Sequence, residues 1–352
     1  MVDAYFQIPD RRNPRTDTRG RVELAAGGSA ANFAVWIARH GRRSGLIGRV
    51  GDDFLGRALV ADLKHEGVCP YLAFDPDPEH GTGRVGVIVA ADGERDMVCD
   101  RRANARLSME DIPEEVVSGA EWLHVSGYVF LEDAPAKAAR HCINVAREAG
   151  VPVSIDPAAY SFIQALGRQA FLKLCEGAAV ILPNLDEGRA MTGLERPEDI
   201  ASCLLDHFPV VALKLGADGC LGMARQWAGI AGSAGIPGSA GIPGAVGAMG
   251  AGADAVAGAD AVAGADAVAR PGGVAGTGPA PGSGADRQAR KKGLVARVRF
   301  AAVPAQVVDT TGAGDAFDAG FVLEYSRGAG LAASLALANE MGARAVSKIG
   351  AR

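Results

Sequence analysis

The sequence has no excess of positive charge, no closely spaced cysteines or histidines and no long apolar run, and each lack removes a class of function. Lysine and arginine number 36 against 41 aspartates and glutamates, a formal net charge of −5, with the two signs interspersed. That balance supplies no basic face for nucleic acid, so small-molecule partners are expected. The six cysteines (Cys69, Cys99, Cys142, Cys175, Cys203, Cys220) form no C-x-x-C pair, and the six histidines no H-x-x-x-H or mixed His/Cys spacing. A chain of 352 residues needs no disulfide staples. The thiols are therefore expected to be reduced and mostly buried, and a structural zinc site has no support. No run approaches a membrane span, and Asp3 and Asp10 do not suit a signal peptide. A cytoplasmic protein with no membrane partner is expected. Also missing is G-x-x-x-x-G-K-[ST], which excludes a Walker A phosphate loop.

What is present is 48% hydrophobic, enough for one large α/β domain or two smaller ones. The most informative stretch is Val308-Asp309-Thr310-Thr311-Gly312-Ala313-Gly314-Asp315-Ala316-Phe317-Asp318-Ala319-Gly320-Phe321. Small residues at 312–314 let the backbone turn tightly and leave its N–H groups uncovered where a helix-spaced apolar run (Ala316, Phe317, Gly320, Phe321) begins. Such a helix start carries partial positive charge and unpaired donors, so it can hold a phosphate or an anionic transition state. Asp315 falls in its first turn. A plain helix cap would use Thr310 or Thr311 and an aspartate suited to the dipole, but it does not require Gly-Ala-Gly followed by a carboxylate. The pattern D-T-T-G-A-G-D-A-F-x-A-G-F resembles the C-terminal signature of the PfkB (ribokinase-like) carbohydrate kinases.

Val22 to Ala25 reads as a short strand entering Gly27-Gly28-Ser29-Ala30-Ala31-Asn32, after which Ala31, Ala34, Val35 and Ala38 keep helical spacing up to Gly41. This resembles the N-terminal signature of the same family, G-G-x-x-x-N. Leu46 to Gly56 continues the resemblance as strand, loop and helix. Segments 83–91 and 95–100 alternate around Asp92-Gly93, a hairpin signal. The arginines of Asp100 to Leu107 are expected to be exposed and solvated. From Glu121 to Leu215 strands alternate with helices, including helices over 134–150 and about 161–176, in the rhythm of a parallel sheet. Residues 227–290 differ in kind: Gly-Ser-Ala-Gly-Ile-Pro and Gly-Ala-Asp-Ala-Val-Ala repeats read as a low-complexity, disordered insertion.

The resemblance implies a single ribokinase-like α/β domain over 1–352, with a mostly parallel central sheet flanked by helices on both faces. A small antiparallel lid is implied from strands near 3–25 and 83–100, with homodimer contact through it. A first strand ahead of Asp3 is implied and absent from this sequence, so a start upstream of Met1 is expected. The implied reaction is transfer of the ATP γ-phosphoryl group to a primary hydroxyl. Asp315 would be the general base, and the amides of Gly312, Ala313 and Gly314 the anion hole. Asp3, Gly27, Gly28 and Asn32 would hold sugar hydroxyls. Leu182-Pro183-Asn184-Leu185-Asp186-Glu187 resembles P-N-x-x-E, placing Asn184 and Glu187 near Mg²⁺ and the phosphates. Lys214, Gly216 and Asn339 would border the nucleotide, and Asp309 and Thr311 a K⁺ site. Where several sugar-kinase branches carry Asp-x-Asn-x-Arg, this chain has Asp156-Pro157-Ala158-Ala159-Tyr160. That departure turns the expectation from fructose and ketodeoxygluconate toward a ribose-like sugar. A nucleoside is the nearest rival, and a catalytically silent sugar- or nucleotide-binding protein is the alternative of a different class.

Overall fold

Apolar runs between glycine turns set most of the strands. A computed structural model describes residues 1–8, 13, 15–89, 95–225, 246–247, 295–347 and 350–351. In chain order it has β1 (Val2–Gln7), β2 (Arg21–Ala26), α1 (Ser29–Arg39), β3 (Ser44–Gly51), α2 (Phe54–His65), β4 (Val68–Asp75), β5 (Arg84–Val89) and β6 (Arg95–Asp100). Then come α3 (Glu114–Ser118), β7 (Trp122–Ser126), α4 (Asp133–Glu148), β8 (Val153–Asp156), α5 (Tyr160–Leu166), α6 (Arg168–Leu174), β9 (Val180–Ile181) and α7 (Leu185–Thr192). The last elements are α8 (Pro197–Leu204), β10 (Val210–Lys214), β11 (Cys220–Arg225), β12 (Val246–Gly247), β13 (Val295–Phe300), α9 (Ala313–Tyr325) and α10 (Gly330–Ala345).

The main sheet has seven strands in the order β12-β7-β8-β9-β10-β11-β13. It is parallel from β12 to β10 and antiparallel at β11 and β13. Successive side chains of a strand point to opposite faces, and here both faces are covered. Trp122, Val180, Val210 and Ala212 pack with Phe33, Ile37, Phe321 and Leu335 of α1, α9 and α10. Leu123, Ile181, Val211 and Leu213 pack with Ile143, Phe171, Met191 and Ile200 of α4, α6, α7 and α8. This is why these strands read as unbroken apolar runs. Fully burying each large side chain contributes roughly 1.5–3 kcal/mol.

A second sheet, β2-β1-β5-β6, and a parallel pair, β3-β4, complete the strands. Val22, Leu24, Met97 and Val98 are exposed on the four-stranded sheet. The helix expected near 161–176 is two helices, α5 and α6, because Gly167 at φ 88 carries the chain into a conformation that ends the first. Only Cys142, Cys175 and Cys220 are buried, whereas Cys69 and Cys99 are exposed. The expectation of mostly buried thiols is corrected: Cys69 lies exposed on β4, and Cys99 is exposed on β6 where that strand lines the cleft. Of the insertion at 227–290, β12 is described, and it pairs parallel with Trp122 and Leu123. The disorder expected for the rest lies outside the described residues. No described helix is long and apolar enough to cross a membrane.

Candidate active site

Two helix starts face each other. Gly28, at φ 100, turns the chain from β2 into α1, and the Asn32 N–H closes the first turn on the Gly28 carbonyl at 2.9 Å. Gly312, at φ 75, does the same for α9, where an added Cβ would stand 2.6 Å from the Ala351 backbone. Between them lies Asp315, buried in the first turn of α9. The Asn32 side-chain amide donates to its Oδ2 at 2.8 Å, and the Ser29 hydroxyl donates to the same carboxylate. Asn32 therefore orients the carboxylate directly, a contact that the sugar-binding expectation did not contain. Burial pushes the Asp315 carboxyl up to about 6, against the two hydrogen bonds, and the charge of Asp156 adds to the rise.

A cleft of about 1120 Å³ opens over this carboxylate. Its lining includes Asp3, Gly27, Gly28, Asn32, Asn184, Glu187, Lys214, Gly216, Thr311, Gly312, Ala313, Gly314, Asp315 and Asn339. Of the site residues singled out by sequence, only Asp309 is outside that lining. Its buried carboxylate instead accepts from the Thr311 N–H at 2.7 Å and the Gly350 N–H at 2.9 Å, bracing the loop. The Ala313 N–H turns back to the Thr310 carbonyl at 3.3 Å. Among the first-turn amides of α9, those of Gly312 and Gly314 are thus better placed than that of Ala313 to serve an anion.

Gly27 makes room for Asp3: a Cβ at position 27 would stand 2.1 Å from Asp3 Oδ2. Asn184 and Glu187 form a capping box at the start of α7. In it the Asn184 N–H donates to Glu187 Oε2 at 2.8 Å and the Glu187 N–H to Asn184 Oδ1 at 2.9 Å. Burial, then the charge of Asp156, pushes Glu187 up to about 7. The Asn339 amide donates to the Ala301 carbonyl at 2.6 Å, tying α10 to the segment after β13. Lys214, at the end of β10, points its ammonium to both oxygens of Asp318 at 3.0 and 3.2 Å and to Asp156 at 3.6 Å.

Sequence reasoning missed Asp156, Asp318 and Arg101 as site residues. Asp318 is a fully buried carboxylate one turn past Asp315, and its signal was a charge within an otherwise apolar helix run. Arg101 corrects the expectation of a solvated arginine cluster. It lines the cleft and donates from Nη1 to the Tyr128 carbonyl at 2.7 Å, while its buried Nε meets no hydrogen-bond partner. Burial lowers its pKa. It is half-buried, with the turn after β7 held against it by the Tyr128 carbonyl, which no local pattern reveals.

Asp315 and Glu187 both bind their protons more tightly folded than unfolded. Their contribution to stability is therefore greatest at low pH and is lost as pH rises through about 6 for Asp315 and about 7 for Glu187. Denaturant titrations are expected to show stability falling by on the order of 2 to 3 kcal/mol between about pH 5.5 and about pH 8. Flat stability over that window would remove the buried-carboxylate account.

A buried carboxylate thus lies between two helix starts over the cleft, and the family of the chain makes it a phosphotransferase. The chain belongs to the pfkB family carbohydrate kinases, whose profile matches residues 2–263 and 289–352. It is 31% identical over 231 residues to a fructokinase of Escherichia coli, covering 62% of this chain and 73% of that protein. It is also 31% identical over 199 residues to a 2-dehydro-3-deoxygluconokinase of Bacillus subtilis, covering 54% of this chain and 61% of that protein. The match to rice fructokinase-1 spans 65% of that relative, so such alignments leave a third of some relatives uncovered. In fold it is similar to the adenosine kinase of Sinorhizobium meliloti, with TM-score 0.70, 22% identity and coverage of 100% of this chain and 93% of that one. A ribokinase II of E. coli in complex with ATP and Mg²⁺ gives TM-score 0.68 at 19% identity, covering 99% and 92%. The architecture is the ribokinase-like α/β fold.

Proposed function

We propose that this protein transfers the ATP γ-phosphoryl group to a primary hydroxyl of a small sugar, with Asp315 as the general base. The observation that carries the reading is the Asp315 carboxylate, held by Asn32 and Ser29 at the start of α9 and facing the cleft. Asp315 takes the hydroxyl proton as the oxygen attacks phosphorus, and the Gly312 and Gly314 amides meet the charge on the transferred group. Asp3, with the backbone of Gly27 and Gly28, holds the sugar. Gly216 and Asn339 border the nucleotide side.

Among the described residues no group of three or more His, Cys, Asp or Glu side chains is gathered as a metal site, so Mg²⁺ fits as an ion that arrives with the nucleotide. Glu187 is pushed to about 7 by burial and by the charge of Asp156, and a nearby cation would relieve that strain. Asn184 and Glu187 thus suit its outer shell. Mg²⁺ would supply charge neutralisation across the phosphates. No step is derived through K⁺, because Asp309 lies outside the cleft lining and is engaged by the Thr311 and Gly350 amides in bracing the loop. The exposed Val22, Leu24 and Val98, which share one face of the small sheet, support homodimer contact through it, and the sheet would act as the lid.

ADP formation with Mg·ATP across ribose, fructose, 2-dehydro-3-deoxygluconate and adenosine, with Asp315→Asn as the blank, tests the reading. Sugar-dependent turnover lost in the blank supports it; adenosine turnover alone would make the protein a nucleoside kinase; silence throughout would favour a binding protein. Arg101 favours one second reading, a sugar acid in place of the ribose-like sugar, since a half-buried guanidinium that lines the cleft, with an Nε that meets no partner, suits a carboxylate. Arg101→Met is then expected to raise KM for the acid by roughly 10- to 100-fold, from the loss of a charged hydrogen bond. An equal, small effect on neutral and acidic sugars would discard that reading.

A further inference from the structure

Lys214 closes an otherwise apolar strand, and its side chain is 12% exposed. A lysine bordering a nucleotide would be expected to turn its ammonium toward the phosphates. Here it turns inward instead, onto Asp318, whose side chain is fully buried, and onto Asp156, whose side chain is 9% exposed. Asp318 stands on α9 one turn after Asp315, so this contact fixes how the first turn of α9 sits over the end of β10. The ammonium also lies just behind the anion hole, since a Cβ at Gly314 would stand 3.6 Å from Nζ.

The groups facing this centre are mostly acidic. Asp156 comes from β8, Glu187 from α7, and Asp315 and Asp318 from α9. The neighbours from β7 and the turn after it are neutral: burial pulls His124 down to about 3 and pushes Tyr128 up to about 12. From α1 come the uncharged donors Asn32 and Ser29. Of the charged groups acting most strongly on Asp315 and Asp318, Lys214 alone is positive. Burial opposes its charge, but Asp156 and Asp318 outweigh burial and hold it protonated, above the ordinary lysine value.

We propose that Lys214 is a positioning residue for the proposed phosphoryl transfer: through Asp318 it ties the catalytic turn of α9 to the sheet, and its charge keeps the Asp315 carboxylate ionised. The inference deepens the kinase reading and rests on it for its catalytic consequence. Because Lys214 is engaged on two carboxylates, it contributes little to nucleotide affinity.

The test is Lys214→Met, which keeps the length of the chain and removes the charge. The acid limb of the kcat/KM profile, set near 6 in the parent by Asp315, should move up by about one unit or more. Activity near pH 6 should then fall several-fold to roughly 10-fold further than activity near pH 9, where only the loss of positioning is read, while KM for Mg·ATP stays within about 3-fold. A limb that does not move overturns the proposal, and a rise in KM for Mg·ATP of about 10-fold or more with an unmoved limb would make Lys214 a nucleotide ligand. Removing one partner strands the Asp318 charge, so Lys214→Met/Asp318→Asn is made beside it. The double variant should recover most of the lost thermal stability and bring the limb part of the way back, because the Asp318 charge that repels Asp315 leaves together with Lys214. A ¹³C-NMR titration of Asp315, assigned by its loss in Asp315→Asn, reads the same shift without turnover. A protein inactive on every sugar would therefore sink the kinase reading, and the NMR titration would still decide whether Lys214 holds Asp315 ionised.

Discussion

Asp315→Asn is expected to lower kcat by about 10²- to 10⁴-fold, the usual worth of a positioned general base, while sugar binding survives. Asparagine keeps the shape and can still accept from the Asn32 amide, so the cleft is preserved. The same substitution should make the protein more stable near pH 8, because it removes a buried negative charge that lies close to Asp156 and Asp318. The sign depends on pH. Asp315 is pushed up to about 6, so below that value the native carboxyl is already neutral and the variant gains little. Thermal unfolding at about pH 5.5 and about pH 8, beside single-turnover kinetics, separates the two effects. A gain in Tm of equal size at both pH values would show that charge is not its source, and undiminished turnover would show that Asp315 is not the base.

Gly27→Ala is expected to be nearly silent in stability and severe in activity. The added Cβ would stand 2.1 Å from Asp3 Oδ2, yet the atoms that it meets are the end of a side chain, which can swing away. Backbone is not displaced, so the fold should hold. On the proposed reading, however, Asp3 would lose the position from which it holds the sugar. Losing hydrogen bonds to a charged group costs roughly 1.5 to 3 kcal/mol, or about 10- to 100-fold in kcat/KM, expressed mainly in KM for the sugar. Gly312→Ala makes the contrast, because there the Cβ meets the Ala351 backbone at 2.6 Å and φ is 75, so stability and activity should fall together. Equal unfolding midpoints for the two glycine variants would contradict this division.

The parts of the site that were legible in sequence are those built locally. A helix start needs only a handful of neighbours in the chain, and the stretch from Gly312 to Asp315 carries all of them. The glycine turn before α1 is of the same kind. What escaped the sequence was how such pieces meet. Lys214 and Asp318 are 104 residues apart, and only the packing of α9 against the end of β10 makes them partners. Arg101 is partly screened from water by a turn that belongs to the next β–α unit, so its own polar surroundings in the chain pointed the wrong way. Gly167 showed the converse: an apolar helical period ran straight through it, but its positive φ decided that two helices form.

The Asn32 to Asp315 hydrogen bond joins residues 283 positions apart. Synthesised at roughly 5 to 20 residues per second, a chain that has already presented α1 waits on the order of 15 to 60 s before α9 exists to meet it. During that interval the turn that would hold the sugar has no carboxylate beside it. On the proposed reading, catalytic competence therefore waits for α9, and a nascent chain that has not yet reached it holds the glycine turn of α1 without Asp315.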